Sequence, residues 1–165
     1  MQHQAKEAII INRVSDEDQE EAGNSLPAQE QRAKNYCDRK GLTVLKSFSF
    51  QESAYKQKRD GFDEILKAAN KEATKRTIAL CFDKVDRFSR GAMFDKRVGE
   101  LFEMAVKGSI ELHFVSDNQV IHTKMSAGEN FQFMIQLGLA KYYSDAISDN
   151  VTRAFEKMRR DGIWI

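Results

Sequence analysis

Four short stretches of strand character, residues 8–14 (AIIINRV), 43–50 (TVLKSFSF), 77–82 (TIALCF) and 110–115 (IELHFV), are each separated from the next by a segment with helical features. The order strand, helix, strand, helix, strand, helix, strand is the one that builds a largely parallel α/β sheet with helices on both faces. The third run is continuously apolar, as expected of a strand covered on both sides, whereas the second alternates apolar and polar residues like a half-exposed one. A chain of 165 residues has room for one such core of about four strands, and none for a second full domain. In sheets of this kind ligands gather at the carboxyl ends of the strands, and Ser15 and Asp86 both follow closely on such ends.

The intervening helices carry their own start and stop signals. Ser25, Leu26, Pro27 and Ala28 open a helix over 27–40, with Ser25 as the N-cap, Pro27 tolerated only in a first turn, and Gly41 as the C-terminal stop. Asp60 and Asp63 start a shorter helix ending near Asn70, and Val98, Leu101, Phe102, Ala105 and Val106 recur at helical spacing before Gly108. The final segment differs in kind. Ser126 and Glu129 make a capping box, and the chain then runs to about residue 160 without a proline, which predicts one long helix over about 126–160. Its apolar residues, Phe131, Ile135, Gly138, Tyr142, Ile147, Val151, Ala154 and Met158, extend farther than a core built from residues 7–124 can cover. The far end of this helix therefore needs a partner.

Composition removes several classes of function. The longest apolar runs, 8–11 and 78–82, fall far short of the roughly 18 residues a membrane-spanning helix requires, and the polar start lacks a secretory h-region, so a cytoplasmic protein with no membrane partner is expected. Two cysteines, Cys37 and Cys81, lack C-x-x-C spacing, and His3, His113 and His122 form no ligand set, so neither a disulfide framework nor a metal site is expected. Twenty-six basic residues against twenty-five acidic ones leave a net charge of +1, and only local clustering can indicate a polyanionic partner. Such clusters occur at 84–97, with Lys84, Arg87, Arg90, Lys96 and Arg97, and at 153–160, with Arg153, Lys157, Arg159 and Arg160.

Two constellations have the residue types for phosphate chemistry. Arg13 and Ser15 stand two apart at a strand end and so share a face, which makes a hydroxyl and a guanidinium neighbours. Asp86, Arg87 and Arg90 follow a buried strand in the stretch KVDRFSRG. Read singly, each has a bland explanation: a strand-end hydroxyl capping a backbone group beside a surface arginine, or a solvated charged loop.

Taken together and in order, IIINRVS at 9–15, SLPAQ at 25–29, ESA at 52–54, RDGF at 59–62 and DRFSR at 86–90 resemble the catalytic domain of serine site-specific recombinases, the resolvase and invertase family. The resemblance covers nearly the whole chain. An acidic loop with Asp16, Glu17, Asp18, Glu20 and Glu21, and the style of the final helix, are more similar to the large serine recombinases of phages and mobile elements. It implies that Ser15 is a nucleophile, that Arg13, Arg59, Arg87 and Arg90 bind and activate the scissile phosphate, and that Gln29 and Asp86 fill supporting polar positions. It further implies double-stranded DNA as substrate, a 5′-phosphoserine intermediate, a homodimer that pairs into a synaptic homotetramer, and no metal or ATP as cofactor. Fixed guanidiniums suit this role, because in-line displacement concentrates charge on nonbridging oxygens that bidentate donors can neutralise. The group that takes the serine proton stays open.

Two positions depart from the family pattern. Ile11 stands where a tyrosine often precedes the first arginine, and Tyr143 and Ser144 replace a Glu-Arg pair of the small resolvases in the long helix. The family usually continues into DNA-binding domains, and none is recognisable within 1–165, so this chain is expected to be one catalytic domain of a larger protein. Arg153, Lys157, Arg159 and Arg160 either complement the dipole of the helix end or approach DNA phosphates.

The remaining candidates have plainer readings. Cys37 and Cys81 read as small buried hydrophobes, Met93, Met104, Met125, Met134 and Met158 as packing residues, His113 as a strand histidine facing solvent or a satisfied partner, and Lys71, Lys75 and Arg76 as a solvated turn. Two rival functions stay open at this level. One is a noncatalytic regulator on a flavodoxin-like sheet, dimerising through its long helix; the other is a metal-dependent nuclease or phosphatase with Asp83 and Asp86 as ligands.

Overall fold

Alternation along the strands sorts the core into two halves, one on each side of a single sheet. The computed structural model describes residues 5–15, 25–52, 60–89 and 96–162. Its strands are β1 (Glu7–Ser15), β2 (Thr43–Glu52), β3 (Ile78–Phe82), β4 (Ile110–Phe114) and β5 (Gln119–Ile121), arranged β2-β1-β3-β4-β5. The helices are α1 (Leu26–Lys40), α2 (Asp60–Ala73), α3 (Val85–Ser89), α4 (Lys96–Val106) and α5 (Ala127–Arg160). The first four strands pair in parallel, as the alternating order requires.

Two elements correct the sequence reading. The sheet has five strands rather than about four, because β5 folds back antiparallel to β4 through a turn in which Asn118 takes a positive φ of 49°. Three residues of strand are too short to show a period of two. The second is α3: DRFSR follows the end of β3, as expected, but residues 85–89 form a short helix where its plain alternative is a charged loop.

One sheet face presents Ile9, Ile11, Phe48, Leu80, Phe82, Leu112 and Phe114 to Ile65 of α2, Phe88 of α3, Leu101 of α4, and Phe133 and Leu137 of α5. The other presents Ala8, Ile10, Ala79 and Cys81 to Ala33, Tyr36 and Cys37 of α1. Ile78, Leu80 and Phe82 on one face and Ala79 and Cys81 on the other are all at most 1 % exposed, so β3 is covered on both faces. Glycines end two helices: Gly41 at φ 68° closes α1, and Gly108 at φ 83° follows α4, where an added Cβ would lie 3.3 Å from Thr123.

The α1 side holds a buried polar chain. Tyr36 Oη and His113 Nδ1 are 2.9 Å apart, and His113 Nε2 and Glu111 Oε2 are 2.9 Å apart. One assignment serves every group: Nε2–H donates to the Glu111 carboxylate, and Nδ1 accepts from the Tyr36 hydroxyl. His113 is thus a satisfied interior residue rather than a solvent-facing one. Burial, with the nearby cysteines and Glu111, pushes the Tyr36 phenol up. Cys37 and Cys81 are both fully buried with their sulfurs 3.9 Å apart, well beyond the roughly 2.05 Å of a disulfide. Arg76, read as part of a solvated turn, pairs with Glu7 at the start of β1 and with Glu72.

At 34 residues, α5 is about 50 Å long at ~1.5 Å per residue. Its capping box is in place, with Glu129 N–H donating to Ser126 Oγ and Ser126 N–H to Glu129 Oε2. Ser25 holds the N-cap position of α1 with an extended backbone, but its side chain makes no capping hydrogen bond. On α5 the core contacts come from Phe133 and Leu137, not from the expected stripe. Phe131 is 68 % exposed and Ile135 46 %, so the stripe faces away from the core from its first turn, and from Ile147 to Arg160 every residue is exposed. No helix of the described residues is long and apolar enough to cross a membrane.

Candidate functional site

β3 ends at Phe82, opposite Ile11 of β1, which runs on to Ser15, so the residues past Ile11 and past Phe82 lie at the same edge of the sheet. Arg13 is two residues past Ile11. By alternation it shares the face of Ile9 and Ile11, the side on which α3 packs, and its Nη1 donates to the carbonyl of Arg87 at 3.2 Å. Gln29 of α1 holds the same residue by its main chain. Its Oε1 accepts from the Arg13 N–H at 3.2 Å, and its Nε2 donates to the Arg13 carbonyl at 3.1 Å. Gln29 is 1 % exposed, and its place in the first turn of α1, fixed by Ser25 and Pro27, is what brings it there.

The segment after β3 is fixed by four independent contacts. Asp83 accepts from Arg32 Nε at 3.1 Å and from Arg32 Nη2 at 3.0 Å, a bidentate pair, and Oδ1 also accepts from the Ser116 hydroxyl at 2.6 Å. The Ser116 N–H donates to the Asp83 carbonyl at 2.8 Å. Asp117 Oδ2 accepts from the Val85 N–H at 2.7 Å, which satisfies a donor at the start of α3. Phe88 then pins α3 to the core, with ring centroids 5.1 Å from Phe82 and 5.6 Å from Phe114. Phe88 of DRFSR is therefore a packing residue that presents its charged neighbours.

Those neighbours differ in setting. The Asp86 side chain is half exposed, while that of Arg87 is 15 % exposed, with its Nε 3.9 Å from Asp86 Oδ2. Burial pushes the Asp83 carboxyl up, but hydrogen bonds from Arg32 and Ser116 and the charge of Arg32 outweigh it and hold the group below its ordinary value. Asp117 goes the other way, raised by burial and by its acidic neighbours despite the Val85 N–H.

Of the expected site residues, Arg13, Gln29, Asp86 and Arg87 are thus brought to one edge. Ser15 ends β1, in register with Glu52 of β2. Arg59 and Arg90, like the acidic loop at 16–21, lie outside the described residues. Arg153, Lys157, Arg159 and Arg160 are all exposed on the last turns of α5. Sequence reasoning missed Arg32, Ser116 and Asp117. The only signal for Arg32 was its position three residues after Gln29, which puts both on one helix face. The rival assignment of Asp83 as a metal ligand conflicts with its geometry, since Arg32 engages both oxygens. Among the described residues no group of three or more His, Cys, Asp or Glu side chains is placed to hold an ion.

Residues 8–164 match the family described as the resolvase N-terminal domain. Among solved structures the chain is similar to the N-terminal catalytic domain of TP901-1 integrase (TM-score 0.54, 17 % identity, 87 % of this chain and 99 % of that one). It is similar also to a resolvase family site-specific recombinase from Streptococcus pneumoniae (TM-score 0.53, 15 % identity, 93 % of this chain and 98 % of that one). A third similar structure is the C-terminal catalytic domain of ISC1926 TnpA, an IS607-like serine recombinase (TM-score 0.52, 17 % identity, 91 % of this chain and 99 % of that one). At these identities the likeness concerns the fold. No curated protein gives a significant match.

Proposed function

Because the chain belongs to the resolvase N-terminal domain family, and so is the catalytic domain of a DNA recombinase, we propose that it cuts and rejoins double-stranded DNA with Ser15 as nucleophile. The observation that carries this reading is the contact between Arg13 and the Arg87 carbonyl. It ties the buried Arg13 side chain to the main chain of Arg87, whose own side chain is 15 % exposed, near the end of the strand that Ser15 closes. Like charges concentrated in a partly desolvated place raise the local potential, and a bound phosphate relieves it.

In the proposed reaction the Ser15 Oγ attacks the scissile phosphorus in line and gives up its proton, the phosphorus–O3′ bond breaks, and O3′ takes up a proton to leave as a free hydroxyl, so that no net proton is gained or lost. The DNA end stays on the protein as a 5′-phosphoserine. Rejoining runs the same step backwards, with a 3′-hydroxyl attacking phosphorus and Ser15 leaving. One phosphodiester replaces another of similar energy, so ATP is not required. Arg13 and Arg87, with Arg59 and Arg90 assigned by family resemblance, stabilise charge on the nonbridging oxygens and favour the serine alkoxide. Arginines thereby take the place of a metal ion. Gln29 acts by holding the Arg13 main chain, and Asp86 by its position beside Arg87.

Assembly falls to α5. Its exposed apolar stripe suits contact with a second copy, first as a homodimer and then as a synaptic homotetramer, and Arg153, Lys157, Arg159 and Arg160 suit DNA phosphates. We likewise propose an α/β core over about 7–124 and a separate helix over about 126–160.

The test is a denaturing gel after incubating the full-length protein with DNA from the organism that encodes it, in excess chelator. A protein–DNA adduct that survives detergent at an undiminished rate is expected. Activity lost in chelator and restored by magnesium would favour a metal-dependent nuclease.

A further inference from the structure

Two residues of α1, one turn apart, hold the ends of two different strands. Gln29 grips the main chain of Arg13 in β1, and Arg32 grips Asp83 just past β3 with a two-pronged pair at 3.1 and 3.0 Å. Positions i and i+3 share a helix face, so a displacement of α1 is felt at both strands together. Ser116, just past β4, ties in a third strand end through its hydroxyl and its N–H. The Asp83 side chain, 3 % exposed, is where these elements meet. Three residues later comes Asp86, then Arg87, whose carbonyl receives the Arg13 guanidinium.

We propose that Arg32, Asp83 and Ser116 form a positioning unit that sets Arg87, and with Gln29 sets Arg13, at the spacing the scissile phosphate requires. The inference rests on the recombinase reading above, and none of the three residues touches the reacting atoms. The choice of groups supports it. A bidentate arginine and carboxylate pair fixes orientation as well as distance, whereas a lysine fixes distance alone, and apolar residues of similar volume often stabilise a buried site at least as well. What the ionic fork adds is geometry.

The experiment uses the full-length protein and its Arg32→Lys, Arg32→Met, Asp83→Asn and Ser116→Ala variants, with fragmented genomic DNA of the encoding organism as probe. Filter retention without detergent reads binding, and retention after detergent reads covalent capture; thermal melting establishes that each variant is folded at the assay temperature. A misplacement of about 1 Å far from the chemistry can cost on the order of 100-fold, so capture per bound protein is expected to fall about 10- to 100-fold in Arg32→Met and Asp83→Asn. Half-saturation for DNA should be unchanged, Arg32→Lys should fall between Arg32→Met and wild type, and Ser116→Ala should lose a few-fold. The Ser116→Ala and Arg32→Lys arms decide the matter where the other two do not fold. Folded variants that capture DNA at the wild-type rate, or that lose capture only through weaker binding, would overturn the proposal. A wild-type protein that captures nothing would instead strike the recombinase reading. In that event the side-chain Nε resonances of Arg13 and Arg87 still judge the positioning unit: they should shift in Arg32→Lys without DNA, and unmoved resonances would contradict it.

Discussion

Gln29 holds Arg13 from both sides of its peptide groups, accepting from the N–H and donating to the carbonyl, with both residues buried. Replacing Gln29 with Ala leaves two main-chain groups of β1 without these partners in the interior, at about 1–3 kcal/mol each. The expected loss is on the order of 2–4 kcal/mol in urea unfolding, accompanied by slower covalent capture of DNA. Gln29→Glu should not restore it, since a carboxylate cannot donate to the Arg13 carbonyl. A variant within about 0.5 kcal/mol of wild type, the scatter of ordinary surface changes, would show that the clamp contributes little.

Much of this site was legible in the sequence because its parts sit at strand ends and helix starts, where local signals are strong. The β-branched run to Val14, the Ser25 and Pro27 start signal of α1 and the apolar run to Phe82 indicate where Arg13, Gln29 and Asp86 emerge. Arg32 and Ser116 were not legible, since each acts on Asp83 across more than thirty residues of sequence. The same applies to α5. Periodicity showed that the helix was long and apolar, but not that Phe133 and Leu137 face the core while Phe131 and Ile135 face away, because a helix apolar on several sides has no single periodic face.

Phe88 is the packing anchor of the DRFSR stretch, fully buried between Phe82 and Phe114. Phe88→Ala should cost about 3–5 kcal/mol through lost burial and the cavity left behind, and Phe88→Leu considerably less. Chemical denaturation measures the difference. Equal and small effects in both variants would mean that α3 is held by its polar contacts alone.

Asp83 makes stability depend on pH in a defined direction. Its carboxyl is held below the ordinary value in the folded protein, so it binds a proton less readily than in the unfolded chain. The stabilisation is fully present above the unfolded value of about 3.9 and is lost as pH falls through the lower folded value. The stability gap between wild type and Asp83→Asn should therefore be constant near neutrality and narrow below about pH 4. Unfolding curves across that range check it; a gap that widens in acid would contradict the ion-pair assignment.

The exposed stripe of α5 predicts self-association. Ile147 is 63 % exposed and Val151 48 %, at a spacing that forms a seam between packed helices. Replacing both with Asp should shift the protein towards monomer while the α/β core still folds, because carboxylates would be buried at the contact without partners. Sedimentation over a concentration series decides between this and an interface elsewhere, which unchanged association would indicate.

We propose that Ser15, at the end of β1, becomes covalently joined to DNA. The most direct measurement is to trap the full-length protein on its DNA in detergent, digest both partners, and locate the nucleotide remnant by mass spectrometry. The remnant is predicted on the peptide containing Ser15, through a phosphate, and it should be absent from Ser15→Ala protein that still binds DNA. An adduct that persists in Ser15→Ala, or that maps to another residue, would contradict the account.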